Sequence, residues 1–148
     1  MKVLHTADWH AGRSLHGVDR TGEVREALEE LAELVKSEQV DLVVVAGDLY
    51  DNRNPSAAAE EAVYRFFLDV SSAGAQSVII AGNHDSPQRL DAAANLLGLV
   101  GVRAVGAFRP AGEGGAFELN VRGERVRVAA LPFLSERRMI GAADLIEG

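Results

Sequence analysis

Short apolar runs alternate with amphipathic segments along most of the chain. The apolar runs predict four strands, at residues 2–6, 42–46, 78–81 and 102–105. The segments between them carry apolar residues at helical spacing, and they predict three helices. Strands that alternate with helices are typical of an α/β fold. We therefore expect a mainly parallel sheet whose right-handed crossovers place helices on both faces.

Two capping patterns predict where the second and third helices begin. Asn54-Pro55 supplies an N-cap followed by a proline at the first helical position, and Ser86-Pro87 repeats the pattern. Beyond the fourth strand, apolar residues alternate with polar ones on either side of Arg122-Gly123. This alternation predicts an antiparallel hairpin that makes the sheet mixed.

Length and composition indicate one globular domain. The 148 residues are 47% hydrophobic and 25% charged, which is enough for one core. No apolar stretch in the sequence approaches the ~20 residues of a bilayer span, and the amino terminus does not read as a signal peptide. We expect a cytoplasmic protein with no membrane partner.

Composition also limits the chemistry. The sequence contains no cysteine, so any metal must be held by nitrogen and oxygen ligands. The formal net charge of −7 argues against binding nucleic acid through bulk attraction to phosphates. Much of this acidity falls within residues 23–38, where it predicts a solvated helix face.

Three predicted strands are followed by side chains that bind metals. Asp8 and His10 follow the first strand, Asp48 follows the second, and Asn83 and His84 follow the third. The carboxyl ends of parallel strands lie at one edge of a sheet, so we expect these residues to converge. In extended backbone Asp8 and His10 face the same side. Each motif alone is ordinary turn chemistry, but together they predict a metal site.

This donor set suits two divalent ions about 4 Å apart that share one bridging carboxylate. Asp48, on the middle segment, is the best candidate for the bridge. Neutral imidazole and carboxylate oxygen suit manganese, iron or zinc better than calcium. The sequence contains neither of the glycine-rich phosphate loops of nucleotide-binding folds.

Three motifs resemble those of the calcineurin-like metallophosphoesterases, and within them those of the SbcD-type nuclease subunits. They are His5-Thr6-Ala7-Asp8-Trp9-His10, Gly47-Asp48-Leu49-Tyr50-Asp51 and Gly82-Asn83-His84-Asp85-Ser86. The resemblance implies that Asp8, His10 and Asp48 hold one metal, and that Asp48 and Asn83 hold the second. It also implies that His84 contacts the scissile phosphate or protonates the leaving oxygen, while Asp51 hydrogen-bonds the other ring nitrogen of His84.

The same resemblance implies a function. It indicates a metal-dependent DNA nuclease subunit that hydrolyses phosphodiester bonds by a two-metal mechanism and takes part in DNA repair. The implied cofactors are two divalent ions, foremost manganese, with iron or zinc as alternatives. The implied partners are DNA, an SMC-like ATPase subunit of the SbcC type, and a second copy of the chain in a homodimer.

The sequence departs from the family pattern in its histidines. Members of the family complete the centre with histidines further along the chain, whereas His84 is the last of four histidines here. We therefore expect residues 1–148 to be the N-terminal portion of the nuclease domain, incomplete after a helix-like start at Ser135-Glu136. Such a chain should bind manganese weakly and have little or no nuclease activity.

Two alternative functions remain open. One is a phosphatase or small-molecule phosphodiesterase with the same metal centre, and the other is a non-catalytic fragment used for subunit association. Trp9 lies between two expected ligands, where it either walls the site or stacks on a base. The arginines from Arg122 to Arg138 either contact a polyanion or lie on the outer face of the hairpin.

Overall fold

The chain alternates strands and helices up to residue 105 and then forms a hairpin. The computed structural model describes residues 1–135, so the predicted helix start at Ser135-Glu136 extends outside the described residues. The elements in chain order are β1 Val3–Thr6, β2 Ser14–Leu15, β3 Val18–Asp19, α1 Thr21–Ser37, β4 Leu42–Val45, α2 Ala57–Ser72, β5 Gln76–Ile80, α3 Pro87–Gly98, β6 Val102–Val105, β7 Ala116–Val121 and β8 Glu124–Ala129.

The central sheet has four parallel strands in the order β1-β4-β5-β6. This confirms the α/β class with a mainly parallel sheet. Because the strands follow one another in chain order, every crossover steps in the same direction. Right-handed crossovers then place all three helices on one face, and the main core joins residues from α1, α2 and α3 with one face of the sheet. Within residues 1–135 all three helices therefore lie on one face, and the expectation of helices on both faces is wrong for this part of the chain.

The helical face of the sheet holds the main core. Phe66 and Phe67 of α2 are buried there. They pack against the indole of Trp9, whose ring centroid lies 5.0 Å from that of Phe66 and 5.8 Å from that of Phe67. The loop after β1 is therefore anchored on α2 by an aromatic contact.

The hairpin of β7 and β8 covers the opposite face of the sheet. Val121 packs against Leu42 and Val78 in a second, smaller core. At the turn of the hairpin, Arg122 Nε lies 2.7 Å from Asp41 Oδ1. Within residues 1–135 the hairpin strands pair only with each other, so the expected mixed sheet does not form in the described part of the chain.

The cap of α2 differs from the prediction, and the cap of α3 agrees with it. Ser56, not Asn54, caps α2, and its Oγ accepts a hydrogen bond of 3.2 Å from the N–H of Ala59. Asn54 instead belongs to the preceding loop, where its N–H donates to Asn52 Oδ1 at 3.0 Å. The α3 helix begins as predicted, with Ser86 as the N-cap and a proline in its first turn.

The outer face of α1 is acidic and exposed, which confirms the solvated helix face. Its exposed glutamates are Glu23, Glu26, Glu29, Glu30 and Glu33. Among residues 1–135, no helix is both long enough and apolar enough to cross a membrane.

Candidate metal centre

The loops after β1 and β4 run side by side beyond the ends of their strands. The N–H of Asp8 donates to Gly47 O at 3.1 Å, and the N–H of His10 donates to Asp48 O at 3.0 Å. One step further, Ala11 forms a parallel bridge with Tyr50. The parallel pairing of the sheet is thus extended into the loops, and this brings the first two motifs together.

Two glycines allow the loops after β4 and β5 to touch. A Cβ added to Gly47 would lie 2.7 Å from Gly82 Cα, and a Cβ added to Gly82 would lie 2.0 Å from Asp48 Oδ1. Neither distance is compatible with a real side chain. The glycine in each motif is therefore required by the close approach of the second and third loops.

Three of the predicted ligands have left-handed backbone conformations. The φ angles are 57° at Asp8, 47° at His10 and 53° at Asp48. The expectation that Asp8 and His10 lie in extended backbone is therefore wrong. Non-glycine residues in this region each cost about 1–3 kcal/mol and cluster at functional sites. The strain at this edge of the sheet is consistent with such a site.

His10, Asp48 and His84 form the centre of the cluster. Each offers one ligand atom, and these atoms all lie within 4.8 Å of one another. His10 Nε2 lies 3.9 Å from Asp48 Oδ2 and 3.9 Å from Asp8 Oδ1. The side chain of Asp8 is 72% exposed, so Asp8 lies at the open rim of the cluster.

Asp48 links the second loop to the third. Its Oδ1 accepts a hydrogen bond of 2.9 Å from the N–H of His84, while its Oδ2 faces His10. A carboxylate oxygen carries two lone pairs, so the bonded oxygen can still bind a metal. Asn83, the last of the predicted ligands, lies in the third loop and borders a small cleft with Arg53 and Phe133.

Asp51 contacts His84 through its backbone and not through its carboxylate. The Nδ1 of His84 lies 2.7 Å from the carbonyl oxygen of Asp51. Because a carbonyl can only accept, this contact requires a proton on Nδ1 and leaves Nε2 as the free ring nitrogen of His84. The Asp51 carboxylate is directed elsewhere, since its Oδ1 lies 3.5 Å from His10 Nδ1.

The His10 contact with Asp51 is longer than a hydrogen bond. An N–H···O bond spans about 2.7–3.2 Å, and His10 Nδ1 is buried without a hydrogen-bond partner. Metal-bound histidines usually donate their second ring N–H to a carboxylate. The Asp51 carboxylate is placed to accept that bond when His10 Nε2 binds a metal.

Sequence reasoning assigned no role to Asp85, which closes the third motif. Asp85 is 2% exposed, and its carboxylate accepts from the N–H groups of Leu49 at 3.3 Å, Tyr50 at 3.1 Å and Gly82 at 2.9 Å. Burial raises the pKa of Asp85, and the three backbone hydrogen bonds oppose this shift. The signal in the sequence was a carboxylate that follows an apolar strand in a motif with no lysine or arginine.

The residues present fit a divalent metal. The imidazole of His10 and the carboxylates of Asp8 and Asp48 are the nitrogen and oxygen donors that manganese, iron and zinc accept. Ligands bonded at about 2.1 Å around one ion lie about 3–4 Å apart, and the nitrogen and oxygen atoms of His10 and Asp48 are already 3.9 Å apart. The spacing of these two atoms therefore already suits one shared ion.

A groove of about 400 Å³ runs beside the cluster, and Asp8, Trp9, His10 and Arg13 line part of it. The indole of Trp9 packs on α2, and its Nε1 donates to Thr6 Oγ1 at 2.9 Å. These contacts favour Trp9 as a wall of the site over Trp9 as a base-stacking surface.

The basic segment after residue 121 lies mostly on the hairpin. Arg122 pairs with Asp41, and Arg127 Nε lies 2.8 Å from Glu118 Oε1 across the two strands. Arg137 and Arg138 lie outside the described residues. The ion pairs favour an outer hairpin face over a polyanion-binding surface.

Several curated relatives are named as the SbcD component of the nuclease SbcCD. The Bacillus subtilis (strain 168) protein is 43% identical over 140 residues, which cover 94% of this chain and 35% of the relative. The Rhodobacter capsulatus protein is 38% identical over all of this chain and 40% of the relative. The Escherichia coli (strain K12) protein is 32% identical over all of this chain and 36% of the relative. The chain thus spans well under half the length of each of these relatives.

The family comparison covers most of the chain. A family model described as calcineurin-like phosphoesterase matches residues 1–131. This range includes β1 to β8 and all three loops of the candidate centre. The match confirms the resemblance carried by the three motifs, and the chain belongs to the calcineurin-like phosphoesterase family.

Proposed function

We propose that this chain is the metal-binding part of a DNA nuclease subunit that hydrolyses phosphodiester bonds with two divalent ions. The observation that carries the proposal is the convergence of His10, Asp48 and His84 within 4.8 Å at the carboxyl edge of the sheet. The relatives support the choice of reaction, since they are named as part of a nuclease. No described contact favours a phosphatase or a small-molecule phosphodiesterase over a nuclease.

The residues divide between two ions in this proposal. Asp8, His10 and Asp48 hold the first, and Asp48 and Asn83 hold the second, with manganese as the preferred metal and iron or zinc as alternatives. When bound, such ions neutralise phosphate charge and activate water for in-line attack. The Asp51 carboxylate, 3.5 Å from His10 Nδ1, orients the His10 ring.

His84 acts on the phosphate in this proposal. Its Nδ1 is held by the carbonyl of Asp51 at 2.7 Å, so ring rotation is restricted and Nε2 is the working nitrogen. In the imidazolium form Nε2 carries a proton that it can donate to a phosphate oxygen or to the leaving oxygen. Asp51 therefore serves both rings, His84 through its carbonyl and His10 through its carboxylate.

The proposal extends to partners and location. The relatives are named as one component of a complex. We assign this chain an SMC-like ATPase partner of the SbcC type, DNA as substrate, and a cytoplasmic location. For a homodimer contact, α2 offers the exposed Tyr64 and Leu68, and α3 with its C-cap offers Leu96 and Leu99. Sedimentation at rising protein concentration tests the homodimer.

The donor count sets the expected metal affinity. No histidine follows His84 in the 148 residues, so the first ion has three protein ligands here and the second has two. We propose that these residues bind manganese weakly and cleave DNA little by themselves. Two tight manganese sites in calorimetry of the 148-residue chain would refute this part of the proposal.

The test of function compares substrates with and without metal. The 148-residue chain and the full-length Bacillus subtilis relative are incubated with single-stranded DNA or with bis(4-nitrophenyl) phosphate, in manganese or in chelator. We expect manganese-dependent DNA cleavage by the relative and a weak signal from this chain that His84→Asn abolishes. The exposed His16 gives the control variant His16→Asn, which should keep that signal. Cleavage that persists in chelator, or that survives His84→Asn, would contradict the proposal.

A further inference from the structure

We propose that Asp85 is a further positioning residue of this centre. Its carboxylate binds no metal itself but fixes the loop that carries Asp48 against the loop that carries His84. The part of this inference that concerns metal affinity rests on the proposed function, whereas the part that concerns loop position does not.

The Asp85 carboxylate spans both loops. Its Oδ2 accepts from the N–H of Gly82 at 2.9 Å and from the N–H of Leu49 at 3.3 Å, and its Oδ1 accepts from the N–H of Tyr50 at 3.1 Å. Leu49 follows Asp48 directly in the chain. One side chain therefore ties the backbone next to Asp48 to the start of the loop that carries His84.

Water cannot easily replace these bonds. Asp85 is 2% exposed and Leu49 is 1% exposed, so a lost acceptor would leave buried N–H groups unpaired. Each such group costs about 1–3 kcal/mol. The loops also have little freedom to shift independently, since a Cβ on Gly82 would already overlap Asp48. A small change at Asp85 therefore also shifts Asp48 and His84.

The two loops that Asp85 joins are also connected by a hydrogen bond inside the cluster. The N–H of His84 donates to Asp48 Oδ1 at 2.9 Å, and His84 lies one residue before Asp85. If Asp85 sets the distance between the loops, this bond depends on Asp85 even though the Asp85 carboxylate takes no part in it. The exchange rate of the His84 amide therefore reports on the position of the loops without any metal or substrate.

Asp91 offers a matched control. Its Oδ1 accepts from the N–H of Gly106 at 2.8 Å, and its Oδ2 accepts from the N–H of Ala107 at 3.2 Å. This carboxylate also braces a loop from α3, but that loop follows β6 and carries no residue of the candidate centre. Asp91 differs from Asp85 in two respects, since its Oδ1 also lies 3.2 Å from Arg109 Nη2 and its side chain is 23% exposed. Asp91→Asn thus removes a carboxylate that braces a loop outside the centre, together with one ion pair.

The experiment measures amide hydrogen exchange and manganese affinity in the 148-residue chain. In Asp85→Asn the amide of His84 should exchange at least about tenfold faster, and the affinity for manganese in calorimetry should fall by about 10–100-fold, as for other residues that orient metal ligands. Asp91→Asn should lower the urea midpoint but leave both values at the wild-type level. If Asp85 only stabilised the fold, Asp85→Asn would behave like Asp91→Asn, with a lower urea midpoint but unchanged His84 amide exchange and manganese affinity.

Several outcomes would overturn the inference. An unchanged exchange rate at His84 in Asp85→Asn would do so, as would an equal increase in Asp91→Asn. If Asp85→Asn does not fold, the wild-type chain supplies the measurement: the amides of Leu49, Tyr50, Gly82 and His84 should open with one shared free energy, and clearly different values would refute the link. If exchange changes as expected but the wild type binds no manganese, the proposed function fails while the positioning role of Asp85 stands.

Discussion

The substitution Gly82→Ala tests the close contact between the loops that carry the candidate centre. Gly82 is suited to this test because its φ angle lies outside the left-handed region that L side chains rarely adopt, so the overlap of the added Cβ is the effect that the substitution tests. The added Cβ would lie 2.0 Å from Asp48 Oδ1 and 2.4 Å from Asp48 N. Rotation of the Asp48 side chain relieves the first overlap only, because the second involves the backbone.

The magnitude follows from these two overlaps. Overpacking of a close contact costs about 1–3 kcal/mol. Rotation of the Asp48 carboxylate would also break its hydrogen bond from the N–H of His84, and a hydrogen bond to a charged group contributes about 1.5–3 kcal/mol. We expect Gly82→Ala to lower the free energy of unfolding by about 3 kcal/mol, a large part of the roughly 5–15 kcal/mol of a typical domain. The affinity for manganese should fall together with stability, since Asp48 is displaced.

Urea denaturation followed by circular dichroism measures the first effect, and calorimetry with manganese measures the second. Gly22→Ala is the control, because a Cβ at Gly22 in α1 meets no atom within 4 Å. Alanine is a better helix former than glycine, so this control should be stabilised by up to about 1 kcal/mol. Ordinary surface substitutions change the free energy of unfolding by no more than about 0.5 kcal/mol. If the free energy of unfolding of Gly82→Ala differs from that of the wild type by no more than this, and its manganese affinity is unchanged, the two loops do not require a glycine at position 82.

Three further predictions test separate parts of the structure. His10→Ala should weaken manganese binding in calorimetry by more than about 100-fold, the upper range for loss of a group that only orients a ligand, while His16→Ala at an exposed loop position should leave binding unchanged. Ser56→Ala should lower the free energy of unfolding by about 1 kcal/mol through loss of the α2 cap, and Asn54→Ala should have a much smaller effect. If urea denaturation shows the larger effect for Asn54→Ala, Asn54 is the cap, as the sequence predicts, and Ser56 is not. Hydrogen bonds from Thr21 at the start of α1 lower the pKa of Asp19 below its ordinary value. The ionised Asp19 therefore stabilises the fold when the pH is above the ordinary pKa of an aspartate. This contribution is lost as the pH falls through the lowered pKa of Asp19 in the folded chain. The difference in urea midpoint between wild type and Asp19→Asn should therefore shrink below about pH 4, and a difference that grows towards acid would contradict this contribution.

The sequence was sufficient to predict the four strands of the central sheet, the three helices and the β7–β8 hairpin, but not the short pair of β2 and β3. It also predicts the edge of the sheet at which the candidate site lies. Apolar runs and helical spacing are local signals, and the rule that ligands gather at the carboxyl ends of parallel strands needs no atomic detail. The side of the sheet that the helices cover was not predictable in this way. It depends on the strand order β1-β4-β5-β6, which only long-range pairing reveals.

The contacts within the site show the same division. The types of the donor residues follow from the motifs, but the left-handed backbone at Asp8 and His10 and the use of the Asp51 carbonyl do not. A residue name does not tell whether its backbone or its side chain makes the contact. Asp85 was overlooked for a related reason, since its partners are backbone N–H groups, which every non-proline residue carries and no sequence pattern marks.

The left-handed conformations in the first two loops have a consequence for the speed of metal uptake. The backbone at Asp8, His10 and Asp48 is held by hydrogen bonds between the loops, so its unfavourable geometry is established when the chain folds. An arriving ion then has no loop to fold, and the entropic cost of ordering ligands at the moment of binding is small. The rate of metal uptake should accordingly be limited by the exchange of water around the ion. This rate should differ more between metals than between variants of loop residues that bind no metal, such as Arg13 and His16.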